Sequence, residues 1–225
     1  MAPKTKFVLN AFISYSFFSI LLFVAAGTLN YFQGWLYVSV NFIATVMNIL
    51  TIQSNPELMT ERTRPGTGIK SWDKRILGFS FLIFVLTLLL AGLDSGRYGW
   101  SPEWNWSIYA LGVCALISGQ IIFLLARSEN KYFSTVMRIQ KERGHTVCDS
   151  GLYRVVRHPG YLGMIVSTIG LPCILGSLWS AIPTFFAIIL LCMRTSFEDK
   201  TLADELEGYT AYAEKTPYKL IPLIW

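Results

Sequence analysis

Six stretches of this chain, residues 7–27, 31–52, 76–93, 106–126, 161–176 and 178–193, contain no charged side chain, and this restricts its possible folds more than any other feature. The first four are 18 to 22 residues long, close to the ~20 a helix needs to cross about 30 Å of hydrocarbon. Inside lipid the backbone must satisfy its own hydrogen bonds, so such runs become helices. The last two runs, 16 residues each, are separated by Gly176-Ser177 and carry Pro172 and Pro183. They read either as short kinked spans or as a hairpin partly buried in protein. The pattern predicts an all-α integral membrane protein with five to six transmembrane helices, a C-terminal helical hairpin, and a cytoplasmic cofactor-binding loop and helix. Composition agrees: 15% of residues are charged, against roughly 25% in soluble domains.

The basic residues predict orientation. Of 19 Lys and Arg, 18 fall before residue 7, in 53–75, in 127–160 and after 193, and a single one falls in the alternate connections. By the positive-inside rule both termini and the 53–75 and 127–160 loops face the cytoplasm. The net charge of +5 is then accounted for by anionic lipid headgroups, with no need of nucleic acid. The opening "MAPKTK" is basic but is followed by a long apolar run and no small-residue cleavage pattern, so the first segment is expected to remain. Cys114, Cys148, Cys173 and Cys192 form no C-x-x-C pair, which argues against disulfides and zinc. With no internal repeat, residues 1–225 read as one membrane-embedded domain, 1–126 supplying four membrane helices and 127–225 the chemistry.

Three further elements are expected outside the spans. A short helix begins near Asn55-Pro56, ahead of loop glycines in "GTG" at 66–68 that lack the context of a dinucleotide fingerprint. Residues 127–149 read as a helix leaving the membrane, with Tyr132, Phe133, Val136 and Ile139 on one stripe, Arg138, Lys141 and Arg143 snorkelling, and Gly144 as terminator. A polar helix follows residue 193, with Leu202, Leu206, Tyr209 and Ala213 on one face, stopping before Pro217. The closing Trp225 suits an interfacial position.

Polar residues concentrate in the 145–161 loop and at Arg194–Asp199, which flank the same apolar pair. A hairpin returning to one side brings Arg157 and His158 near Arg194, Glu198 and Asp199. Glu198 follows Arg194 by four residues and is expected to pair with it on the membrane-packed face. Each feature alone has a plainer reading, as a headgroup anchor or a solvated helix, but their convergence favours a site. His145 and His158 lack a third ligand at recognisable spacing, so no metal is expected.

The order "GHTVCDSGLYRVVRHPGYLG", an apolar Pro-bearing hairpin, "RTSFEDKTLADELEGYTAY" and "YKLIP" resembles the isoprenylcysteine carboxyl methyltransferase family and its phospholipid methyltransferase relatives. The likeness is strongest over 144–225, and "NPELMTERTRPGTGIKSWDK" resembles bacterial and archaeal members. It implies an integral membrane methyltransferase that uses S-adenosylmethionine without a Rossmann domain. Carried over residue by residue, His145, Val147, Cys148, Gly151 and Tyr153 hold adenosine, largely through backbone groups, and Arg157, His158 and Tyr161 complete the pocket. Glu198 and Asp199 stand where the family has paired acids and would meet the cofactor's ammonium. Arg194, paired with Glu198, faces the acceptor, and His158 is the base if that acceptor is an amine or thiol. Val147-Cys148-Asp149 and the Glu-Asp order depart mildly from the family pattern. The acceptor stays open between a prenylcysteine carboxylate, a phospholipid amine and a small hydrophobic thiol or acid.

Two other readings compete. Membrane sterol or enone reductases that use NADPH end in a similar "RHPxY" and "GYxxY" tail, although they are usually longer. A lipid-binding or transport protein would need an intramembrane polar path, and the first four segments hold hydroxyls and amides with no ionisable group.

Overall fold

The computed structural model describes residues 3–53 and 55–225; Met1 and Ala2 of the basic opening, and Ser54 in the 53–75 loop, lie outside it. Among the described residues it is helical with no strand: α1 (Pro3–Ala26), α2 (Phe32–Ile52), α3 (Pro56–Thr63), α4 (Ser71–Ala91), α5 (Trp106–Glu129), α6 (Pro159–Leu175), α7 (Ala181–Glu205) and α8 (Tyr209–Lys215). Five of these, α1, α2, α4, α5 and α7, are long and apolar enough to cross a membrane. The sixth apolar helix, α6, has 17 residues, or about 25 Å at 1.5 Å per residue. It packs along α5, the most extensive helix pair in the fold.

Glycine makes that pairing possible. Gly112 and Gly119 on α5 meet Gly163 and Gly170 on α6, each pair seven residues apart so that both glycines face the partner. A Cβ at Gly119 would stand 2.5 Å from the Gly163 carbonyl oxygen, and one at Gly163 would stand 2.6 Å from the Gly119 carbonyl oxygen. Backbone lies against backbone here, so no side-chain rotation relieves an added methyl. Gly163→Ala is expected to lower the thermal midpoint in detergent by the equivalent of about 1–3 kcal/mol. Gly78→Ala on α4, where a Cβ meets nothing within 4 Å, should be neutral or stabilising. Equal midpoints for the two variants would contradict the seam.

At the end of the bundle where α1, α4 and α6 finish, α4 continues through a π-helical segment, Gly92–Tyr98. It carries Asp94, fully buried. The carboxylate accepts from Ser101 N (2.7 Å), Ser101 Oγ (2.6 Å) and Ser177 Oγ (2.6 Å), which clasps the α6–α7 turn to the α4–α5 connection. Exposed aromatics ring this end: Tyr98 stacks on Trp100 with ring centroids 5.1 Å apart, and Trp35, Trp106 and Trp179 are also exposed. Such a belt suits a membrane interface. The charged loops lie at the other end.

The helix expected over 127–149 is not there. Its first three residues complete α5, which stops at Glu129. Asn130 then turns the chain, its Oδ1 accepting from Tyr132 N (2.9 Å) and its carbonyl from Phe133 N (3.1 Å). Residues 134–140 run as a non-helical strap because their backbone groups are taken by other elements. Lys70 N donates to Met137 O (3.0 Å), Met137 N to Asp73 Oδ2 (2.7 Å) and Arg194 Nη2 to Thr135 O (3.0 Å). Gly144 (φ +61°) does act as terminator, of a single 3-10 turn over Lys141–Arg143. Arg138 does not snorkel: it is 3% exposed and bonds Glu61 at 2.9 and 2.7 Å.

The helix expected after residue 193 is also divided. α7 runs unbroken from the bilayer to Glu205, and Gly208 (φ +81°) reverses the chain into α8. Leu206 and Tyr209 nevertheless bury together, with Tyr212, Ala126 and Tyr153. The short helix expected at Asn55-Pro56 is α3, capped by Asn55 Oδ1 accepting from Leu58 N at 3.0 Å.

Candidate functional site

The hairpin α6–α7 returns to the charged end and joins residues 37 to 42 positions apart in sequence. Arg157 donates to Asp199 through Nε (2.8 Å) and Nη2 (3.1 Å), a bidentate pair. His158 Nε2 lies 3.0 Å from Asp199 Oδ1, and Tyr161 Oη donates to Glu198 Oε2 at 2.7 Å. The motif is also held from behind by the C-terminal tail. Arg157 N and His158 N donate to Tyr218 O and Lys219 O, both at 2.9 Å, and Arg157 Nη1 to Thr216 O and Pro217 O, both at 2.8 Å. Pro159 at the first position of α6 has no N–H to leave unmet.

Arg157, His158, Tyr161 and Glu198 border one cavity of about 330 Å³, inside the range usual for cofactor and small-molecule sites. Of the residues anticipated from sequence, His145, Val147, Cys148, Tyr153, Arg157, His158, Tyr161, Arg194 and Glu198 line it. Gly151 and Asp199 do not. Gly151 instead takes a positive φ against Glu129, whose side chain a Cβ would meet at 2.7 Å. Asp199 is consumed by Arg157, His158, Tyr209 Oη (2.8 Å) and Lys219 Nζ (3.7 Å). It fixes the neighbours that do line the cavity.

The expected Arg194–Glu198 pair is replaced by two other partnerships. Arg194 donates through Nε to Asp73 Oδ1 (2.6 Å) and through Nη2 to Oδ2 (3.3 Å), and its guanidinium carbon stands 5.5 Å from the Tyr161 ring centroid. Asp73 is fully buried in the first turn of α4, where the helix dipole favours an acid. Its bidentate geometry outcompetes a carboxylate one turn along the same helix. Glu198 is left to Tyr161, the sole carboxylate lining the cavity and without an ion pair among the described residues.

His145 stacks on Tyr132 with ring centroids 4.3 Å apart, and its Nδ1 accepts from Gln140 N at 3.2 Å. Burial, then the positive charges of Arg143 and Arg138, push its pKa down to about 4. The ring is therefore neutral at physiological pH, with its proton on Nε2. Because the folded value lies below the ordinary ~6.5, the unfolded chain binds more protons between these limits. Stability is full above pH 6.5 and is lost as pH falls toward 4. A thermal midpoint that declines over this window, and declines less in His145→Gln, is the expected result. The Cys148 thiol is half-buried, and burial raises its pKa, so it is a wall and not a nucleophile.

Sequence reasoning missed Arg62, Glu61, Asp73, Gln140 and the strap residues, because their side chains meet across loops with no spacing rule. Tyr209 and Tyr212 do carry a signal. At i and i+3 in "GYTAY" they share a helix face, and Tyr212 Oη donates to Tyr153 O at 2.7 Å.

Comparison with known proteins follows the same geography. The model of the "Isoprenylcysteine carboxyl methyltransferase (ICMT) family" matches residues 110–204, from α5 through α7. Protein-S-isoprenylcysteine O-methyltransferase B of Arabidopsis thaliana is 27% identical over 118 residues, 50% of this chain and 59% of that protein. Protein-S-isoprenylcysteine O-methyltransferase of Schizosaccharomyces pombe is 28% identical over 176 residues, 68% of this chain and 72% of its own length. The mouse Delta(14)-sterol reductase is 27% identical over 132 residues, 52% of this chain and 31% of that protein. The chain thus spans little more than half the length of the plant relatives it matches. Over residues 110–204, which include the hairpin and most of the cavity wall, the chain is similar to the isoprenylcysteine carboxyl methyltransferase family.

Proposed function

We propose that the protein is a membrane-embedded methyltransferase that takes its methyl group from S-adenosylmethionine and delivers it to an amphipathic, lipid-like acceptor, most simply a prenylcysteine carboxylate. The observation that carries this reading is Glu198: a carboxylate with no ion pair among the described residues, lining a half-open, aromatic-walled cavity in the segment the family match covers. A half-buried carboxylate with no ion pair favours a cation, and the donor has two, its ammonium and its sulfonium. Tyr153, Tyr209, Tyr212, Leu202 and Leu206 offer apolar surface for a purine, and the 145–148 backbone offers donors and acceptors for its edge. When bound, S-adenosylmethionine supplies an electrophilic methyl whose transfer to an acceptor lone pair leaves the neutral thioether S-adenosylhomocysteine.

The chain's own part is to bind, orient and exclude water. Glu198 is oriented by Tyr161; Arg157 and His158 are oriented by Asp199 and the C-terminal tail. An ionised carboxylate acceptor needs no base, and His158 would serve one only for an amine or thiol. The positive-inside count supports a cytoplasmic mouth for the cavity.

The likeness to a sterol reductase favours a second reading, in which the same pocket holds NADPH. Calorimetric titration of the detergent-purified protein with S-adenosylmethionine, S-adenosylhomocysteine and NADPH separates the two. Binding of the first two alone is expected. Binding of NADPH alone makes the protein a reductase, and binding of none returns it to a lipid-anchoring role.

A further inference from the structure

The cavity contains a second unanswered charge. Arg138 is met by Glu61 and Glu142, Arg157 by Asp199, and Arg194 by Asp73. Arg62, which also lines the cavity, makes no ion pair among the described residues. Its Nη1 reaches only the Phe133 carbonyl, at 3.4 Å, and its Nε is buried without a hydrogen-bond partner. The sequence delivers it there: Asn55 caps α3, Leu58 and Met59 bury one face, and Arg62, one turn on, shares that face.

Its surroundings add positive charge. Arg127, 2% exposed, is met by the neutral oxygens of Asn48 and Thr51. Burial, then Arg127 and Arg194, lower the Arg62 pKa to about 10, which still leaves it charged at neutral pH. Beside it stands an apolar wall of the cavity. The guanidinium carbon lies 5.9 Å from the Phe133 ring centroid, and that ring packs edge-to-face on Phe123 at 5.3 Å, with Leu77 and Met164 also lining the space. An anion adjoining hydrocarbon is what this corner accommodates.

We propose that Arg62 is the receptor for the acceptor's carboxylate, the residue that makes the site select an amphipathic acid. This rests on the methyltransferase reading. A planar guanidinium binds a carboxylate in bidentate fashion. Arg62 lies outside residues 110–204, in the part of the chain not matched to the family model.

The donor also has a carboxylate, so the test must separate the two sources. Calorimetry would measure S-adenosylhomocysteine binding first, and then, with that ligand saturating, binding of an N-acetyl-S-prenylcysteine and of its neutral carboxamide. Wild type is expected to prefer the acid at least tenfold. Arg62→Gln should lose that preference while keeping S-adenosylhomocysteine affinity within about twofold, and Arg62→Lys, which keeps the charge but not the fork, should restore part of it. Loss of S-adenosylhomocysteine affinity in Arg62→Gln, with acid preference intact, would assign Arg62 to the donor and overturn the proposal. So would a wild type that binds S-adenosylhomocysteine but does not distinguish acid from amide. Failure of wild type to bind S-adenosylhomocysteine at all would instead defeat the methyltransferase reading.

Discussion

Asp199→Ala should be the most damaging single substitution at the site, although its side chain does not line the cavity. The carboxylate receives both guanidinium branches of Arg157, the His158 ring and the Tyr209 hydroxyl, at 2.8 to 3.1 Å. Arg157 is 8% and His158 5% exposed. Removing the acid strands a buried cation, which costs about 3–5 kcal/mol. It also frees two residues on the cavity wall, and displacement by about 1 Å can lower turnover ~100-fold. The expected results are a lower unfolding midpoint and loss of S-adenosylhomocysteine binding. Asp199→Asn, which keeps the shape and one acceptor, should fold better yet still bind the ligand poorly, since an amide cannot answer both Arg157 and His158. Normal binding in both variants would show that Asp199 does not position the site.

The second large effect concerns Asp73 and Arg194. Asp73→Ala leaves the Arg194 guanidinium without its counter-charge and Met137 N without an acceptor. A loss of about 3–5 kcal/mol is expected from the ion pair alone. The strap should loosen too, because Met137 N and Thr135 O both depend on this cluster. A double-mutant cycle decides what Arg194 is for. If it mainly serves the pair, Asp73→Leu combined with Arg194→Leu should recover much of the stability, and the cycle should give a coupling of roughly 0.5–3 kcal/mol. Additive losses would mean that the two residues act independently and would return Arg194 to a direct role at the cavity.

That pairing also marks where sequence stopped being informative. The apolar runs predicted the spanning helices because hydropathy over ~20 residues reflects a solvent constraint that neighbours do not change. The meeting of Arg157 and His158 with Asp199 followed from hairpin closure. The Arg194–Glu198 pair failed because an i,i+4 contact is worth only a few tenths of a kcal/mol, and Asp73, 121 residues away, offered two oxygens in a buried place. The helix expected over 127–149 failed likewise: its stripe was consistent with a helix, but Asn130 turns the chain and Lys70, Asp73 and Arg194 claim the backbone groups of the strap. Among the site residues, those joined by the α6–α7 hairpin were legible. Arg62 and Glu61 were not, since nothing in "NPELMTERT" states which cavity α3 will border.

The most direct test of the central claim is the affinity of S-adenosylmethionine and S-adenosylhomocysteine, measured calorimetrically, for wild type and Glu198→Gln. Wild type should bind both. Glu198→Gln should weaken both, and S-adenosylmethionine more, because its sulfonium is a second cation that the neutral side chain no longer stabilises. Unchanged affinities in the variant, or no binding by wild type, would contradict a methyl-donor site built around Glu198.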